Sequence, residues 1–68
     1  MLRIDYAKLI NKVRDFGVMP FFYKTGIGGS PLFVYRIEEG GDISLKSLNR
    51  CCKFFNCQIN DLIEVKYD

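Results

Sequence analysis

Histidine and tryptophan are absent from the chain, and proline occurs only twice. Without histidine, the commonest general base and metal ligand near neutral pH is missing. No apolar run approaches the roughly 20 residues that a membrane span requires, and the chain does not open on a charged-then-apolar leader. Excess charge of one sign is also missing. Ten Lys and Arg stand against eight Asp and Glu, a net charge of +2 that falls well short of a polycationic nucleic-acid arm. Cysteine is sparse and clustered: Cys51, Cys52 and Cys57 are odd in number and lie within seven positions. A disulfide framework wants an even, dispersed set, and a zinc site wants four ligands. The expectation is three reduced, structural cysteines acting as small hydrophobes, with no metal and no cofactor.

What is present is a 68-residue chain that is 49% hydrophobic and 26% charged. That is too apolar for a disordered tail and too short for two cores, so residues 1–68 are expected to form one domain. So small a core leaves little room for the deep pocket of a self-contained enzyme, and a cytoplasmic, non-enzymatic protein is expected.

Tyr6, Leu9, Ile10, Val13 and Phe16 make one helical stripe, which predicts a helix over 5–16 with Asp5 as N-cap and Gly17 as its stop. Pro20 suits the first turn of a short second helix through Lys24, ended by Gly26. Leu45, Leu48, Cys52 and Phe55 form a further stripe, with Cys51 beside it, capped by Ser44 and closed by Asn56. A last helical turn is expected near Ile59 or Asn60. Both ends alternate, Leu2-Arg3-Ile4 and Ile63 to Tyr67, and allow a two-stranded ribbon that joins the termini. The stretch 30–39 is divided locally. Ser30-Pro31 and Gly40 are good helix boundaries, yet Leu32 to Ile37 is rich in β-branched and aromatic residues.

Two other local patterns carry little. Gly26-Ile27-Gly28-Gly29 follows no strand and lacks the Lys-Ser/Thr pair of a phosphate loop. Glu38 and Glu39 are neighbours whose side chains diverge on a helix, so they do not make a catalytic pair.

The order Thr25-Gly26-Ile27, Leu32, Ile43-Ser44-Leu45, Leu48, and then C-K-F-F-N-C-Q-I-N-D-L-I from Cys52 to Ile63 resembles the small Cro/repressor-like (XRE-type) helix-turn-helix regulators. The resemblance covers essentially the whole chain and resolves 30–39 as helix. It implies an all-α, five-helix lambda-repressor-like domain, with the motif at about 20–39 and the ribbon as an addition. It also implies binding of double-stranded DNA: one helix crosses the backbone and the next enters the major groove. By position, Leu32 and Tyr35 would face the core. Gly29, Ser30, Phe33, Val34 and Arg36 would face outward, with Lys24 and Lys46 on phosphates. A DNA-binding transcriptional regulator, dimeric on its operator, is one expectation. The other is a protein-interaction module on the same scaffold, antirepressor- or inhibitor-like, in which an apolar third helix docks a second copy or another protein. DNA binding is the leading expectation; Phe33 and Val34 outside weaken it, because base readout relies mainly on Arg, Lys, Asn and Gln, and leave contact with a thymine methyl group.

Overall fold

The apolar stripes at 6–16 and 45–55 form helices that turn most of each stripe inward, with Phe16 and Leu45 left exposed. The computed structural model describes residues 1–67, in the order β1 (Leu2–Asp5), α1 (Ala7–Phe16), α2 (Val18–Thr25), α3 (Phe33–Glu38), α4 (Leu45–Phe55), a 3₁₀ turn (Ile59–Asp61) and β2 (Glu64–Tyr67). The expected ribbon is present: β1 and β2 pair antiparallel, with Leu2 opposite Tyr67 and Ile4 opposite Val65. Its pairing pre-empts the first turn of α1. Asp5 belongs to the strand rather than capping the helix, although its Oδ1 still accepts the Ala7 N–H at 2.8 Å. That bond comes first, and Lys66 at 3.0 Å second, in holding the Asp5 carboxyl below its ordinary range.

The described residues contain four α-helices, which corrects the expectation of five. The sequence left one turn near Ile59, and one turn is all that fits. Asn56 leaves α4 in the left-handed region, and β2 already begins at Glu64. Gln58 and Asp61 cap the 3₁₀ turn reciprocally, and the Leu62 carbonyl accepts the Leu9 N–H at 3.0 Å, which ties the turn to α1.

One core cluster joins all four helices. Leu9, Ile10 and Val13 enter it from α1, Phe21 from α2, Phe33, Val34 and Ile37 from α3, and Leu48 and Cys51 from α4. Phe21 lies at its centre, fully buried. Its ring stacks on Phe55 at 5.6 Å, meets Phe54 edge-on at 5.1 Å, and lies 6.0 Å from Phe33. Offset and edge-to-face pairs of this kind add to the stabilisation that burial alone gives.

Two details of the stripes differ from expectation. In α4 the fully buried cysteine is Cys51; Cys52 is half-buried and Leu45 is exposed. In α3 the inward set is Phe33, Val34 and Ile37, while Leu32 and Tyr35 point to solvent. The reason is the late start of this helix. Gly28 and Gly29 both have positive φ and extend the turn. Ser30 Oγ then accepts the Leu32 N–H at 3.1 Å, so regular helix begins only at Phe33. With about 100° of rotation per residue, a small change of register exchanges the inner and outer faces. The observed register buries three large apolar groups and leaves the one tyrosine hydroxyl in water, which costs less than the reverse.

Burial pushes the Cys51 thiol up to about 11, so it stays protonated in the folded protein and acts as an apolar group. Cys51→Ser is expected to destabilise by about 1–3 kcal/mol, since a hydroxyl would enter the apolar seam. Leu48→Ala should cost roughly 2–5 kcal/mol through the cavity it leaves. Chemical denaturation measures both. Val34→Glu should abolish the cooperative unfolding transition, because it buries a charge without a partner. A wild-type melt for Val34→Glu would show that α3 is turned the other way.

Candidate nucleic-acid interface

The α2–α3 unit is a helix-turn-helix whose turn is built by side chains on either side of it. Thr25 Oγ1 donates to the Phe21 carbonyl at 2.9 Å and accepts the Ile27 N–H at 3.1 Å. Gly26 adopts the left-handed conformation that lets the chain leave α2 between these two bonds, and Ile27 drops into the core. The Thr-Gly-Ile triplet is therefore a device for ending α2 and starting the turn. Gly28 has a different role. A Cβ on it would lie 2.5 Å from Phe33 Cβ and Cγ, so only glycine lets Phe33 pass the turn into the core.

Two arginines clasp this turn from outside. Arg36 Nη2 donates to the Gly28 carbonyl at 2.7 Å, and Arg50 Nη2, from α4, donates to the Thr25 carbonyl. Both side chains line a cleft shared with Gly29, Ser44 and Ser47. Ser44 caps α4: its Oγ accepts the Ser47 N–H at 3.1 Å and donates to the Ser47 hydroxyl at 3.0 Å. Lys24, in the last turn of α2, and Lys46, in the first turn of α4, are exposed to either side in sequence. Each guanidinium has five donors, and a single carbonyl bond leaves others for an anion. The acidic pair after α3 does not counter this set evenly. Glu38 is turned to Arg14 of α1 at 2.6 Å, while Glu39 is exposed.

Of the seven residues singled out in the sequence, Lys24, Gly29, Arg36 and Lys46 are exposed, and Ser30 is half-buried with its hydroxyl in the local turn bond. Phe33 and Val34 are corrected. They are 2% and 4% exposed, inside the core, and no base edge can reach them. The outward places belong instead to Leu32 and Tyr35, 67% and 61% exposed. The same exchange takes Phe33 and Val34 off the outer face on which a docking helix was argued and sets Leu32 and Tyr35 there. Arg50, not singled out in the sequence, is also a support for the turn; no local pattern in the sequence links it to Thr25, 25 positions away.

Among the described residues no helix is long and apolar enough to cross a membrane.

The family model for the Cro/C1-type HTH DNA-binding domain matches residues 22–68, from within α2 to the C-terminal residue. No curated protein and no solved structure matches the chain. The matched span is well over half of the 68 residues, and it includes the turn, α3 and the α4 framework just described. This chain belongs to the Cro/C1-type helix-turn-helix DNA-binding domain family.

Proposed function

We propose that the chain is a cytoplasmic transcriptional regulator that binds double-stranded DNA through α3 and the turn before it, without catalytic activity. The observation that carries this reading is the pair of arginine clasps. Arg36 and Arg50 hold the turn rigid and, with Lys24 and Lys46, set positive charge around the segment that presents Gly29, Ser30, Leu32 and Tyr35 to solvent. Phosphate contacts of this kind set register and supply most of the affinity, and they carry no sequence information. Sequence would be read by the side chains on the exposed face. Ser30 and the Tyr35 hydroxyl can hydrogen-bond base edges, and Leu32 offers apolar contact to a thymine methyl group. None of these is a bidentate reader, so discrimination between sites is expected to be modest.

Two results test the proposal. Replacing Lys24 and Lys46 together by Ala should weaken binding to every duplex and flatten the salt dependence by about one unit per lost contact. Tyr35→Glu should melt like the wild type and lose duplex affinity, because it places a carboxylate beside the phosphates. Fluorescence anisotropy with a labelled duplex at several salt concentrations measures both. Absence of any salt-sensitive affinity, even in the micromolar to sub-millimolar range of non-specific binders, would contradict the regulator.

A further inference from the structure

α4 ends on a turn whose two contact positions are both cysteine. Asn56 takes the left-handed conformation and its N–H donates to the Lys53 carbonyl at 3.3 Å, while the Cys57 N–H donates to the Cys52 carbonyl at 3.0 Å. This is the Schellman arrangement, in which the side chains at the ends of the longer bond ordinarily meet as an apolar pair. Here both are thiols. The main-chain bond between them also keeps their Cα atoms within the span of about 4.4–6.8 Å that a disulfide bridges. Burial comes first, and the neighbouring Cys52 side chain second, in pushing the Cys57 thiol above its ordinary range, while the Lys12 ammonium acts in the opposite direction.

Solvent reaches this pair and not the third cysteine. Cys52 and Cys57 are free and half-buried, and both line a cleft with Leu45, Lys46 and Ile59. Leu45 stands at its rim, 71% exposed. Cys51 is buried in the core, and a thiol pushed up to about 11 by burial offers almost no thiolate near neutral pH. Adjacent helical residues also diverge by about 100°, so Cys51 points away from the cleft. Lys46 on the cleft and Lys12 near Cys57 set positive charge beside the two thiols, which suits an anionic thiol reagent.

We propose that Cys52 and Cys57 form a redox-active dithiol, a modification site that exchanges with low-molecular-weight disulfides such as oxidised glutathione and closes to an intramolecular disulfide. The thiolate of one cysteine attacks a glutathione sulfur. A mixed disulfide forms, the glutathione S–S bond breaks, and the departing thiolate takes up the proton that the cysteine gave up. The thiolate of the second cysteine then attacks the protein sulfur of the mixed disulfide. The Cys52–Cys57 bond forms and a second glutathione thiol leaves, so two protein thiols are oxidised and one glutathione disulfide is reduced to two thiols. A raised Cys57 thiol makes this exchange slow near neutral pH; the geometry prepares the equilibrium rather than the rate. In a reducing compartment the pair rests as thiols and closes when the poise turns oxidising. Closure pins the end of α4 to the segment that leads into the 3₁₀ turn. The proposal does not depend on DNA binding.

Equilibration of the native chain in glutathione buffers of graded ratio, followed by acid quench and intact mass, supplies the test. The wild type should lose the mass of two hydrogens and carry no bound glutathione at equilibrium. Trypsin cuts after Lys53, between the two cysteines, so closure should leave residues 51–53 joined to 54–66 until a reductant is added. Fragmentation of the joined peptides should place the bond on Cys52 and not on Cys51. The native chain should close at a glutathione disulfide level about tenfold lower than the chain in denaturant, because the turn holds the two residues together. Cys57→Ala should stop at the mixed disulfide. A wild type that keeps three thiols throughout, that stops at a mixed disulfide, or that links Cys51 overturns the proposal. So does closure that is no easier in the native chain than in denaturant, or loss of two hydrogens from Cys57→Ala.

Discussion

The passage of Phe33 behind Gly28 into contact with Phe21 is the constraint on which the rest of the structure depends. Phe21 is the only side chain of α2 that is fully buried, and its ring is the shared neighbour of Phe33 on α3 and of Phe54 and Phe55 on α4. Because Phe33 is committed to that cluster, Val34 and Ile37 follow it inward at helical spacing. Leu32 and Tyr35 are then left outside. The chemistry that the protein shows to a partner is thus decided by an aromatic contact in its interior.

A six-residue helix on a glycine-rich turn would be a poor platform by itself, since isolated helices of that length do not persist in water. Tertiary contacts make up the difference. Thr25 fixes the exit from α2, Arg36 and Arg50 tie the turn carbonyls to α3 and α4, and Arg14 draws Glu38 toward α1. The last of these also turns one carboxylate away from the side on which phosphates would lie. Rigid support and positive charge come from the same arginines. A loss of Arg50 would therefore loosen the turn as well as remove a charge.

Much of this was legible in the sequence. The stripe in α1, the Ser44 cap, the left-handed Asn56 and the alternating ends all depend on near neighbours in the chain, and near neighbours decide them. The orientation of α3 was not legible. It depends on where the helix starts after two positive-φ glycines, and both registers offered an apolar inner face. Leu32 and Tyr35 looked as suitable for the core as Phe33 and Val34 until the position of Phe21 was known. The fifth helix that the family resemblance implied is the single turn that the local pattern near Ile59 allowed, since β2 starts early against β1. The clasp of Arg50 on Thr25 joins residues 25 positions apart and has no signature in local spacing.

The central claim is that DNA meets the protein on the exposed face of α3 and on the clasped turn. Titration of a duplex into ¹⁵N-labelled protein, followed by amide chemical shifts, tests it most directly. The account predicts that the largest changes fall on Gly29, Ser30, Leu32 and Tyr35, with Lys24 and Lys46 at the margins and the ribbon unaffected. Changes confined to the ribbon or to the outer face of α1, with the turn and α3 silent, would contradict it.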